Sequence, residues 1–184
     1  DIAFKKHPEL CSPKIVAPFS SKVAGFAREA DAVIADSEST RKDIVDLLGV
    51  DAERVHTVHL GAETCMRPMT QNEAVARVGS SFGIGIPYVL FVGTIEPRKN
   101  VVGLIRAFRQ IQGKFPHKLV IVGSRGWISE EEIADLVDVE PTAHTDHSGH
   151  SSRNRIEIPG FVSRGDLPAL YSAADAFVFP SFYE

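Results

Sequence analysis

Tyr88-Val89-Leu90-Phe91-Val92-Gly93-Thr94-Ile95-Glu96-Pro97-Arg98-Lys99-Asn100 is the stretch that decides the fold of this chain. An apolar run ends at a glycine, two adjacent cations follow, and an amphipathic run over 101–112 takes over. That order reads as strand, strand-end glycine, cation pair, helix. In an open α/β sheet ligands bind in the crevice beyond the carboxyl ends of the strands, and a helix N-terminus there favours anions. Arg98 adds a forked donor and Lys99 a point charge, a combination suited to two linked phosphates. Cations at a helix N-terminus are disfavoured unless an anion compensates them. The pair is therefore read as a binding element for a nucleotide diphosphate rather than as solvated surface.

Downstream the alternation continues. A second strand over Lys118–Val122 ends at Gly123-Ser124, and a helix is expected over 130–139. Residues 141–154, rich in His, Ser and Thr, read as a loop. A third strand over 155–158 turns at Pro159-Gly160, Ser163 is placed to cap a helix over 166–174, and 176–179 forms a fourth strand. Strands separated by helices imply a parallel, doubly wound sheet with right-handed crossovers.

Upstream, a polar segment with Pro8, Pro13 and Pro18 precedes an expected helix over 20–29 and a short strand over 32–35. Ser37 is a good N-cap for a helix over 38–48, and Gly49 sits where its stop belongs. A strand over 54–60 closes at Gly61. The polar stretch that follows, with Pro68, several glycines and a short helix near 72–78, is the expected domain boundary. The class is α/β, with one domain over 1–65, a linker over 66–86 and a second domain over 87–184.

Composition narrows the function. Hydrophobic content of 43% and charged content of 24% are those of a globular protein, and a net charge of −4 gives no electrostatic footprint for nucleic acid. No apolar run is long enough to span a bilayer and no secretory leader is visible. Cys11 and Cys65 lack metal-like spacing and read as free thiols, so the cytoplasm is the default location. The chain begins at Asp1 and ends just after a strand-like run, which leads us to expect an internal fragment of a longer protein.

Other candidates carry two readings each. Gly61 and Gly123, at strand ends, permit either a tight turn or a close ligand approach. Glu184, four residues past Pro180, is either an arbitrary carboxylate or a rim group hydrogen-bonding a polyhydroxylated ligand. His144, His147 and His150 recur every third residue, but no Cys, Asp or Glu pattern completes a metal site, so an exposed loop is expected there. His56 and His59 read as core or surface residues. The glycines Gly79, Gly83 and Gly85 precede a strand, which is the wrong order for a dinucleotide fingerprint and argues against an oxidoreductase. There is no P-loop, zinc-protease motif or Gly-x-Ser-x-Gly elbow.

Several motifs then arrive in one order: 93–100, Leu119-Val120-Ile121-Val122-Gly123, Ile158-Pro159-Gly160-Phe161-Val162, 170–176, and Pro180-Ser181-Phe182-Tyr183-Glu184. Together they resemble the donor-binding C-terminal domain of a retaining GT-B glycosyltransferase of the group 1 (family 4) type. Residues 30–37 and 55–61 resemble the end of that family's acceptor-side domain. The resemblance implies Rossmann-like doubly wound sheets, truncated at both ends. It also implies transfer of a hexose, with mannose slightly favoured, from a nucleotide-diphosphate sugar to a glycan or lipid-linked acceptor. No cofactor and no metal is expected. In this reading Arg98 and Lys99 neutralise the departing diphosphate, Glu184 contacts the sugar ring, and Gly61, Gly93 and Gly123 lie with the donor. The family's second glutamate would fall after Glu184 and its active-site histidine just before Asp1, so these residues by themselves are expected to be inactive. The full-length protein would sit in the cytoplasm, associating peripherally with the inner face of the membrane. The competing reading is a nucleotide-sugar-binding module without catalysis.

Overall fold

The computed structural model describes residues 1–127 and 155–183, which fall into two compact units: Asp1–Glu63 together with Tyr183, and Thr64–Phe182. The expected helix over 130–139, the histidine loop and Glu184 lie outside the described residues.

In the first unit a short helix α1 (Ala3–Lys6) leads to α2 (Pro13–Glu29). Helix α2 begins earlier than the expected residue 20, because Pro13 occupies the first turn, where a backbone N–H has no intrahelical partner to lose. Pro18 lies inside the helix. The helix continues through it because Val16, Val23, Ala24 and Ala27 pack on a small core of Ile2, Phe4, Ala35, Ile44, Leu48, Val50 and Val55. Strands β1 (Val33–Ala35) and β2 (Val55–Thr57) pair in parallel, Val33 opposite Val55, around α3 (Glu38–Leu48). The ends of α3 are those read from sequence. Ser37 Oγ accepts from Thr40 N at 3.0 Å, and Gly49 stops the helix in the left-handed region at φ 67°. Both strands are shorter than expected, since only three residues of each find a partner.

Asp43, on α3, is one of the few buried charged residues. Lys6 Nζ donates to both its oxygens at 2.8 and 2.9 Å, and Tyr183 Oη donates to Oδ2 at 2.7 Å. Burial alone would raise this carboxyl, but the hydrogen bonds from Lys6 and Tyr183 and the Lys6 charge bring it below its ordinary value. The Tyr183 phenol is pushed up in turn, by burial and by the Asp43 carboxylate. A carboxyl depressed in the folded state contributes stability that is present above the unfolded value of about 3.9 and lost as pH falls through the folded one. Urea denaturation should therefore show Asp43→Asn less stable than the native chain by about 2 kcal/mol near neutral pH, the gap closing as pH drops below about 3.9. A gap that does not change with pH would contradict this.

The second unit is built on β3 (Tyr88–Val92), β4 (Lys118–Val122), β5 (Ile156–Gly160) and β6 (Ala176–Phe177), all parallel in the order β5-β4-β3-β6. The ladder runs from Tyr88 opposite Lys118 to Val92 opposite Val122, and β3 and β4 have the bounds expected from sequence. Alternate residues serve opposite faces. Tyr88, Leu90, Val120 and Val122 pack under α4 (Gln71–Phe82) and α6 (Leu167–Ala173). Phe91, Leu119 and Ile121 pack under α5 (Val101–Ile111). A parallel sheet covered on both faces is why these strands are continuous apolar runs rather than alternating ones.

Residues 66–86 do more than connect. Helix α4 carries a Thr70/Glu73 capping box and ends at Gly83, φ 67°, and it buries Ala74 and Val78 in the same core as Leu170. Ser163 does not cap α6 directly. Its hydroxyl donates to Asp166 Oδ2 at 2.7 Å, and Asp166 itself is the N-cap. Tyr88, fully buried, donates from Oη to the Leu170 carbonyl at 2.7 Å, and burial together with the Asp175 charge pushes its phenol up to about 12. The order in which strands are added to the sheet reverses at β3. Strands β4 and β5 lie on one side of it and β6 on the other, which makes the carboxyl ends of β3 and β6 a topological switch point.

Candidate functional site

The switch point holds the segment quoted at the outset. After β3 the backbone stays tied to its neighbour: Gly93 N donates to Val122 O at 2.9 Å and Ile95 N to Ser124 O at 3.0 Å. Gly123 N donates to Gly160 O at 2.9 Å, so three strand-end glycines stand side by side. At Gly123, φ 151°, a Cβ would lie 2.0 Å from the Gly93 carbonyl oxygen. At Gly93 it would lie 3.3 Å from Phe91 and 3.4 Å from Phe179. The space these two glycines leave is thus taken by the protein's own backbone and rings, which gives each a structural reason independent of any ligand. Gly61 is exposed in the first unit, with nothing within 4 Å of a Cβ built there.

The cations precede α5, as read from sequence, and lie in a turn of their own. Pro97–Lys99 form a separate 3-10 turn, closed by Lys99 N to Glu96 O at 3.1 Å and Asn100 N to Pro97 O at 3.0 Å. Asn100 takes the left-handed conformation, φ 54°, and α5 starts after it. No side chain caps α5, so the positive end of its dipole opens onto the turn that carries the cations. The compensating anion is Glu96. Its carboxylate is buried and pairs with Arg98 Nη2 at 2.9 Å. The Lys99 ammonium lies over the Phe179 ring, 4.5 Å from its centroid.

This turn is fastened to the segment after β6. Phe182 N donates to Arg98 O at 2.9 Å, and Asn100 Nδ2 donates to Pro180 O at 3.3 Å. The Asn100 side chain lies against Gly103, where a Cβ would be 2.3 Å from Asn100 Oδ1, so residue 103 has to be glycine for Asn100 to keep this pose. Sequence reading missed Glu96, Asn100, Gly103 and Phe179. The acidic residue two places before Arg98 was the visible signal for the first; nothing local marks the last. Among the described residues no group of His, Cys, Asp and Glu side chains is arranged to hold a metal ion.

A parallel α/β sheet with helices on both faces and a cation-bearing turn at its switch point is an architecture of the Rossmann-like kind. The family model of the group 1 glycosyl transferases matches residues 82–184, more than half of the chain, and the chain belongs to that family. It is 30% identical over 157 residues to the O-antigen chain mannosyltransferase B of Escherichia coli, covering 84% of this chain and 38% of that protein. It is likewise 30% identical over 160 residues to the D-inositol 3-phosphate glycosyltransferase of Nocardia farcinica, covering 85% of this chain and 34% of the relative. Anabaena HepE, solved in complex with UDP and glucose, superposes with a TM-score of 0.68 at 20% identity, over 94% of this chain and 44% of that one, which supports the GT-B Rossmann-like fold. The chain spans about two-fifths of the length of the mannosyltransferase it matches.

Proposed function

We propose that this chain supplies the donor-holding part of a retaining hexosyltransferase. In this reading it moves a hexose, mannose by preference, from a nucleotide-diphosphate sugar to a glycan or lipid-linked acceptor. The observation that carries the reading is the 96–100 turn at the ends of β3 and β6, where Arg98, Lys99 and the uncapped α5 converge. As the glycosidic bond breaks, the leaving diphosphate gains charge, and fixed cations stabilise that change more than they stabilise the bound donor. In this reading Glu184 contacts the sugar ring, and the backbone at the strand ends Gly93 and Gly123 borders the donor. No metal or cofactor takes part, because the two cations do the work a divalent ion would otherwise do. The mannose preference is supported by the mannosyltransferases of Escherichia coli among the relatives. No described helix is long and apolar enough to cross a membrane, and an acceptor on a lipid is reached by peripheral association.

The full-length protein should be screened against a panel of nucleotide sugars with product detection by mass spectrometry. Transfer from GDP-mannose with the α-anomeric configuration kept, and undiminished by chelator, is the expected result. Donor binding without transfer to any acceptor offered would favour a binding module instead, and loss of transfer on chelation would reject the metal-free assignment.

A further inference from the structure

The two cations of the turn are held in different ways. Arg98 is paired with a buried carboxylate, while Lys99 rests on an aromatic face. An aromatic ring attracts an ammonium through its quadrupole without cancelling the charge. Lysine otherwise carries its charge on a flexible four-carbon stem, so a ring beneath the ammonium narrows the positions that the charge can take.

The ring is itself held. Phe179 stacks on Phe91 with centroids 5.7 Å apart and planes 22° apart, and on Phe177 at 5.8 Å and 19°. Phe91 is fully buried in the sheet core. The Phe91–Phe179 pair fits because Gly93 has no side chain, a Cβ there reaching both rings at 3.3 and 3.4 Å. A line of contacts therefore runs from the core of the second unit, through Phe91 and Phe179, to the Lys99 ammonium.

We propose that Phe179 is a positioning residue for Lys99, its ring setting the ammonium at the carboxyl ends of β3 and β6 where it meets the departing diphosphate. This rests on the reading of Lys99 as the group that neutralises that diphosphate.

The test uses the full-length protein and the variants Phe179→Leu, Phe179→Tyr and Lys99→Met. Leucine keeps apolar packing and removes the ring face; tyrosine keeps both. Phe179→Leu is expected to lower kcat about tenfold with donor KM nearly unchanged, and Phe179→Tyr to stay within about twofold of native. In the Lys99→Met background, adding Phe179→Leu should cost less than about twofold, because the two changes remove one interaction. In protein labelled with [13C]lysine, the ε-methylene signal lost in Lys99→Met should lie upfield by ring current in native and Phe179→Tyr protein and return to the ordinary position in Phe179→Leu.

Native kcat in Phe179→Leu, a full Phe179→Leu cost persisting without Lys99, or the absence of the ring-current shift would each overturn the positioning role while leaving the diphosphate assignment standing. Native turnover in Lys99→Met would overturn the assignment and the positioning role together, even with the ring-current shift intact.

Discussion

Lys99→Ala in the full-length enzyme should lower kcat by about a hundredfold to a thousandfold, with a smaller rise in donor KM and an unchanged melting temperature. The split follows from when the charge is needed. A donor diphosphate is bound before and after the bond breaks, but its charge grows only as the bond breaks, so the loss falls on turnover. Removing Lys99 leaves the phenyl ring beneath its ammonium packed on Phe91, which limits the effect on stability. Arg98→Ala should behave differently. It deprives the buried Glu96 carboxylate of its 2.9 Å partner, so turnover falls and stability drops too, by about 3–5 kcal/mol. Steady-state kinetics and thermal melts of both variants separate the two cases. Native turnover in both would reject the diphosphate clamp.

Gly123→Ala should be the most destabilising single-methyl addition in the second unit, costing about 3–5 kcal/mol in denaturant titrations or preventing folding altogether. The new Cβ would stand 2.0 Å from the Gly93 carbonyl oxygen. That carbonyl is backbone and cannot swing aside, since Gly93 N is bonded to Val122 O and Ile95 is tied to both Ser124 and Gly126. The φ of 151° adds its own strain for an alanine. Gly79→Ala is the matching control. It lies on α4 with nothing within 4 Å of its Cβ, so it should stabilise by up to about 1 kcal/mol through helix propensity. Equal and small effects at both positions would show that the strand ends of β3 and β4 have more room than the geometry allows.

What could be read from sequence was what neighbouring residues decide. Tyr88–Val92 and Lys118–Val122 were legible because both faces of each strand are buried, which leaves an uninterrupted apolar run. The ends of α3 were legible because Ser37 and Gly49 act within one turn of the helix they bound. The early start of α2 was obscured by its two prolines, whose breaking tendency is harmless at Pro13 and outweighed by packing at Pro18. In the candidate site, Arg98 and Lys99 stood out as candidates by type and position. Their supports did not, because Lys99 to Phe179 and Asn100 to Pro180 each join residues 80 apart in the chain. No periodicity or spacing rule reaches that far. Glu96 was within reach, since the disfavoured cation pair already asked for an anion nearby.

The packing of α4 has a practical consequence for grafting. Any chimera that carries the second unit onto another scaffold needs its crossover near Glu63–Thr64, where the two compact units divide, so that Ala74 and Val78 travel with the core they fill. A junction at residue 86 would respect the polar look of the preceding stretch and strip a helix from one face of the sheet. Within the module, 93–104 and 178–182 belong to one exchange cassette, because Asn100, Gly103, Phe179 and Pro180 fit only one another's partners. Swapping either half alone would transplant the cations without the surfaces that aim them.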